Sequence, residues 1–134
     1  SFSAGEHNDC VAMAKQFADR THFVHLRSCY IFPNGNFTEA SHLGGRGHLI
    51  DLCRIFEKAE QEGKCNSGRR LPMRVDHGMT FTDEPGGVFD ESNHGHNAGY
   101  TLLGRMFAMG QIQGVIATVD DELGIEYKQP GFYD

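Results

Sequence analysis

Two short segments, Thr21–Arg27 and Leu71–Gly78, begin 50 residues apart, and each is followed by a glycine-rich stretch and then by an apolar pattern of helical period. Both are rich in β-branched, aromatic and apolar residues and too short for ordinary helices, so they read as strands. A strand that returns at this distance with a helix between is a βαβ unit, whose crossover makes the two strands parallel. The fold class is therefore α/β. In such folds the polar chemistry gathers at the C-terminal ends of the strands and in the loops that leave them.

Helical periodicity supplies the rest of the frame. A first helix is predicted from Asn8 to Asp19, with Asn8 as its cap and Val11, Ala14 and Ala18 on one face. A second runs from His48 to Glu62 on Leu49, Leu52, Cys53, Phe56 and Ala59, and Gly63 is placed to stop it. Leu102, Leu103, Met106, Phe107 and Ile112 mark a third, which Gly110 and Gly114 are expected to break ahead of a short fourth segment, Val115–Glu122. Leu123–Asp134 reads as a tail. Ser28–Gly47 reads as a long connection, with turn chemistry in Pro33-Asn34-Gly35-Asn36 and Gly44-Gly45-Arg46-Gly47.

A length of 134 residues suits one domain, and 12 Lys and Arg against 18 Asp and Glu give a net charge of −6, which argues against nucleic acid as a partner. No run of 18 apolar residues occurs, and the opening lacks the basic and apolar regions of a secretory leader, so neither membrane nor export is expected. Cys10, Cys29, Cys53 and Cys65 form no Cys-x-x-Cys pair and read as reduced thiols of a cytoplasmic protein.

His25 and Arg27 end the first strand, and Asp76-His77-Gly78 ends the second. An imidazole and a carboxylate converging from adjacent parallel strands suit a divalent transition metal. They equally suit a hydrogen-bonded polar pair, since tight metal sites use three or four protein ligands. His77 is the residue type that transfers protons near neutral pH, or it packs at the turn before Gly78. Tyr100, at a helix start, offers a hydroxyl that either donates a proton or faces solvent. Glu39, His42 and Arg46 in the first long loop are the types that bind a polyhydroxylated acid, and equally the types that tie a loop together. His94-Gly-His96 reads as a solvated lid segment, and Gly44–Gly47 as a weak phosphate motif.

Phe23-Val24-His25-Leu26-Arg27-Ser28, Asn36-Phe37-Thr38-Glu39-Ala40-Ser41-His42-Leu43 and Leu71-Pro72-Met73-Arg74-Val75-Asp76-His77-Gly78 closely resemble successive blocks of the mannonate dehydratase family. Asn97-Ala98-Gly99-Tyr100 with Leu103-Gly104-Arg105 resembles its next block, and the match extends in order over roughly residues 1 to 120. The resemblance implies a (β/α)8 TIM barrel related to sugar isomerases, of which this chain carries two or three βα units. It implies dehydration of D-mannonate to 2-keto-3-deoxy-D-gluconate, a step of hexuronate catabolism, with a divalent metal, Mn2+ or Fe2+. His25 and Asp76 match two metal ligands, and His77 and Tyr100 match the acid–base residues. Arg27, Glu39, His42 and Arg46 are the expected substrate-binding residues. The family's other two ligands, a Cys and a His, match no position in this chain. Residues 1–134 are thus expected to be the C-terminal portion of a longer enzyme, completed by its N-terminal part and assembling as a homo-oligomer. The alternatives are another metal-dependent isomerase or epimerase on the same barrel, or a non-catalytic binding domain.

Overall fold

The computed structural model describes residues 8–66, 69–79, 81 and 101–126. Helix α1 (Cys10–Phe17) runs into a short 3-10 turn, Ala18–Arg20. Its cap is Asp9, not the expected Asn8: Asp9 Oδ1 accepts from the backbone N–H of Val11 at 3.0 Å and of Ala12 at 2.9 Å. Both residues are competent caps one position apart, and a carboxylate gains more from the positive helix end than an amide does.

Strand β1 (Val24–Leu26) pairs in parallel with β4 (Met73–Val75), in the register Val24↔Met73, His25↔Arg74 and Leu26↔Val75. Asp76 N–H donates to the Leu26 carbonyl at 3.0 Å and so extends the ladder by one rung past both strands. Val24, Leu26 and Val75 are buried on the inner face, while His25 and Arg74 point outward. Helix α2 (Leu49–Gln61) is the crossover between the two strands, and the α/β expectation holds. It buries Leu49, Cys53, Phe56 and Ala59, and Gly63 at φ +66° ends it as predicted.

The connection Ser28–Gly47 is not a plain loop. Strand β2 (Cys29–Ile31) pairs antiparallel with β3 (Phe37–Glu39) around the Pro33–Asn36 turn, which Phe32 N–H closes on the Asn36 carbonyl at 2.8 Å. Strands of three residues are too short for alternation to announce them, so only the turn was legible. Gly45 is pressed against this hairpin: a Cβ there would meet the Cys29 carbonyl at 2.8 Å and Ala40 Cβ at 2.9 Å. The Gly44–Gly47 stretch packs against protein backbone, which replaces the phosphate reading.

Helix α3 (Leu102–Leu123) is unbroken. Gly110 and Gly114 are exposed on it, with nothing within 4 Å of where a Cβ would stand. Each costs about 1 kcal/mol of propensity. The burial of Ala108, Ile112, Val115 and Val119 in the core shared with α2 outweighs that cost. Leu102, Leu103, Met106 and Phe107, expected to form the apolar face, are the exposed side. Among the described residues α3 is the one helix long and apolar enough to cross a membrane, and its stripe of Ala108, Ile112, Val115 and Val119 is buried in this core. It runs through Leu123 and ends at Gly124, φ +68°; residues 127–134 of the expected tail lie outside the described residues.

Two carboxyl groups are enclosed between these helices, Glu57 on α2 and Asp120 on α3, 6% and 2% exposed. Burial, then the neighbouring Asp120, pushes Glu57 up to about 7, and burial beside both carboxyls pushes the Cys53 thiol up to about 12.

A strand-end cluster of His25, Arg27, Glu39, Asp76 and His77

The β1–β4 register puts His25 and Asp76 on neighbouring strand ends, with His25 Nδ1 3.7 Å from Asp76 Oδ1. Phe23 packs its ring edge-to-face on His25 at 4.8 Å between centroids, which restricts the imidazole from the open side. The two side chains predicted to converge do so.

Arg27, the residue that follows β1, points its guanidinium at Glu39 of β3. Nε lies 3.1 and 3.2 Å from the two carboxylate oxygens, and Nη2 also donates to Oε1. The Glu39 carboxylate holds Arg27 above its ordinary value. Arg27 Nη1 stands 3.9 Å from Asp76 Oδ2, and the Phe37 ring lies 5.3 Å from the guanidinium carbon. His77 completes the group, with Nδ1 3.3 Å from Glu39 Oε1 and Nε2 3.9 Å from Asp76 Oδ2. One carboxylate from each side, Asp76 from β4 and Glu39 from the hairpin, thus brackets His77.

Cys29 Sγ reaches Glu39 Oε2 at 3.8 Å, but burial and then the Glu39 charge push its thiol up to about 11. It is a packing residue and not a nucleophile.

Other predicted site residues stand apart. His42 is 3% exposed, and its Nε2 donates to the Leu26 carbonyl at 3.0 Å. It ties the end of β1 to the loop after the hairpin. Gln111 of α3, which carried no signal in the sequence, accepts from the His42 backbone N–H at 3.0 Å and exchanges hydrogen bonds with Ser41 Oγ. Arg46 is exposed and meets the hairpin through its backbone N–H, 3.1 Å from the Cys29 carbonyl. Tyr100 and the His94–His96 segment lie outside the described residues.

The loop after β4 is held close to α3. A Cβ on Gly104 would overlap the Met79 carbonyl oxygen and stand 2.9 Å from Thr101 Oγ1. The bare backbone there sets the start of α3 against Gly78 and Met79.

Among the described residues no group of three or more His, Cys, Asp and Glu side chains has the arrangement of a metal site. His25 and Asp76 do fit as two donors to one ion. With bonds of about 2.1 Å each, two donors on one metal stand roughly 3 to 4 Å apart. The observed 3.7 Å lies in that range.

The family model for D-mannonate dehydratase (UxuA) matches residues 1–125. The chain is 37% identical over 125 residues to mannonate dehydratase 2 of Agrobacterium fabrum, covering 92% of this chain and 30% of that protein. It is 34% identical over 122 residues to the mannonate dehydratase of Saccharophagus degradans, covering 90% of this chain and 29% of the relative. With the mannonate dehydratase of Brucella canis the identity is 32% over 114 residues, covering 84% and 26%. The chain thus spans less than a third of the length of the curated relatives it matches.

Proposed function

Because the chain belongs to the D-mannonate dehydratase family, we propose that it is the C-terminal part of a metal-dependent lyase that converts D-mannonate to 2-keto-3-deoxy-D-gluconate in hexuronate catabolism. The observation that carries this reading is the convergence of His25, Asp76 and His77 at the C-terminal ends of two adjacent parallel strands. A (β/α)8 barrel suits them, since β1, α2, β4 and α3 follow one another as two successive βα units with their polar groups at one end.

His25 and Asp76 would hold a divalent ion, Mn2+ or Fe2+, together with donors from the remainder of a longer chain. When bound, the metal supplies positive charge where the substrate's carboxylate end gains negative charge. The reaction breaks the C2–H and C3–O bonds. A base takes the C2 proton, an acid gives a proton to the departing 3-hydroxyl, and the resulting enol becomes the 2-keto product.

His77 Nε2 and the Tyr100 hydroxyl are the two proton carriers in this reading. His77 suits such a role because its ring is only partly enclosed and lies against Asp76. Arg27 adds a fixed positive charge beside Asp76. Four free thiols suit a reducing compartment, and we place the enzyme in the cytoplasm.

The experiment is direct. The full-length protein, stripped of metal and then reloaded with Mn2+ or Fe2+, is given D-mannonate. Formation of 2-keto-3-deoxy-D-gluconate that requires the metal is the expected result. Release of an epimer or ketose with no loss of water would overturn the dehydratase reading in favour of an isomerase or epimerase.

A further inference from the structure

Resting on the acid–base role of His77, we propose that Glu39 is a positioning residue: it holds His77 as the Nδ1–H tautomer, presents Nε2 to the substrate, and does not bind the sugar itself. Glu39 arrives from β3, on the hairpin between β1 and the loop that leads to α2, and its side chain is 5% exposed. Both carboxylate oxygens are occupied by protein groups. Oε1 takes Arg27 Nε at 3.1 Å and Arg27 Nη2 and lies 3.3 Å from His77 Nδ1, close enough to bias where the ring carries its N–H although the two are not aligned as a hydrogen bond, while Oε2 takes Arg27 Nε at 3.2 Å and Cys29 Sγ at 3.8 Å. A carboxylate enclosed in this way has no open face for a sugar hydroxyl.

Its effect on His77 follows from which ring nitrogen it meets. A neutral imidazole carries one N–H and one lone pair, and an acceptor oxygen at one nitrogen draws the N–H to that side. With Glu39 at Nδ1, the lone pair is left on Nε2, the nitrogen that lies 3.9 Å from Asp76 Oδ2. Nε2 therefore faces the strand end where His25 and Asp76 meet. Arg27 holds the same carboxylate through Nε, which meets both oxygens, and through Nη2 on Oε1, which keeps Oε1 beside the ring. The hairpin serves as the support that sets the imidazole's tautomer and direction.

The test reads the ring nitrogens. Long-range 1H–15N spectra of the full chain are recorded with a chelator at an alkaline pH where the His77 ring shifts no longer move with pH. In the wild type the His77 shifts report predominantly Nδ1–H. Glu39→Gln keeps that form, since its amide oxygen can stand where Oε1 stands. Glu39→Ala loses it, and the Nε2–H form becomes the major one. A wild-type His77 in the Nε2–H form overturns the proposal, and so does an Nδ1–H population unchanged in Glu39→Ala. The wild-type spectrum decides alone if the alanine variant does not fold.

Kinetics on D-mannonate separate the two roles of Glu39. Positioning lowers kcat by about tenfold or more in Glu39→Ala with KM within about twofold. A raised KM at unchanged kcat makes Glu39 a substrate ligand and overturns the proposal. If the wild type does not dehydrate mannonate at all, the function proposed above fails, and the tautomer still decides the place of Glu39.

Discussion

Raising the pH through neutrality should loosen the joint between α2 and α3, because Glu57 enters the folded state as a protonated acid. It is 6% exposed against Asp120 at 2%, with Glu60 adding negative charge nearby and Arg70 opposing it. Its folded value of about 7 stands above the ordinary 4.5 that it regains on unfolding. Between these values the folded state binds a proton that the unfolded state does not. The contribution to stability is thus complete below about 4.5 and is lost as the pH rises through about 7. The difference between about 7 and 4.5, at about 1.4 kcal/mol per pH unit, gives about 3 kcal/mol. That is a sizeable part of the 5–15 kcal/mol roughly typical of a domain. The assay is urea unfolding of the full chain at several values from about pH 5 to about pH 8, with Glu57→Gln as the reference. The glutamine keeps a donor for Asp120 and has no proton to lose, so titrating groups away from this joint cancel in the difference between the two proteins. The stability of wild type relative to Glu57→Gln should fall by about 3 kcal/mol over that range. A difference that stays flat, or that grows with pH, refutes the reasoning.

Gly110→Ala and Gly114→Ala should each stabilise the protein by about 0.5–1 kcal/mol, read as raised urea midpoints, because α3 is helical at both positions and a methyl there meets nothing. Gly104→Ala should do the reverse, since its methyl would overlap the Met79 carbonyl. A loss of about 1–3 kcal/mol is expected, and an unchanged midpoint would mean that the close approach of α3 to the loop after β4 is wrong. Asp9→Ala should cost about 1 kcal/mol, read as a lowered urea midpoint, because the backbone N–H groups of Val11 and Ala12 that donate to Asp9 lose their acceptor.

What could be read from the residues was whatever rests on pattern over six or more positions. Helix α2 showed its period in Leu49, Cys53, Phe56 and Ala59, and its stop in Gly63; the two parallel strands showed theirs by composition and spacing. The predicted break in α3 failed because the glycine penalty is local, whereas the burial of Ile112, Val115 and Val119 that overrides it depends on α2. Asn8 and Asp9 are both good caps, and only the backbone geometry chooses between them.

In the cluster, His25, Asp76 and His77 were legible as polar residues at strand ends. The role of Glu39 was not, because a hairpin of two three-residue strands folds it back beneath Arg27 and His77. Residue type alone made Glu39 and His42 equal prospects for a sugar acid. The fold gives one to the guanidinium and the imidazole, and the other to the last carbonyl of β1.

The account stands on His25 and Asp76 being two arms of one metal site in a dehydratase. Its most direct test is Mn2+ binding by the full-length protein carrying Asp76→Asn, measured by calorimetry beside D-mannonate turnover. The amide keeps the shape and removes the charge that faces His25 at 3.7 Å. Metal affinity should fall by about tenfold or more, with turnover falling at least as far. Wild-type affinity together with wild-type turnover in that variant would contradict the account.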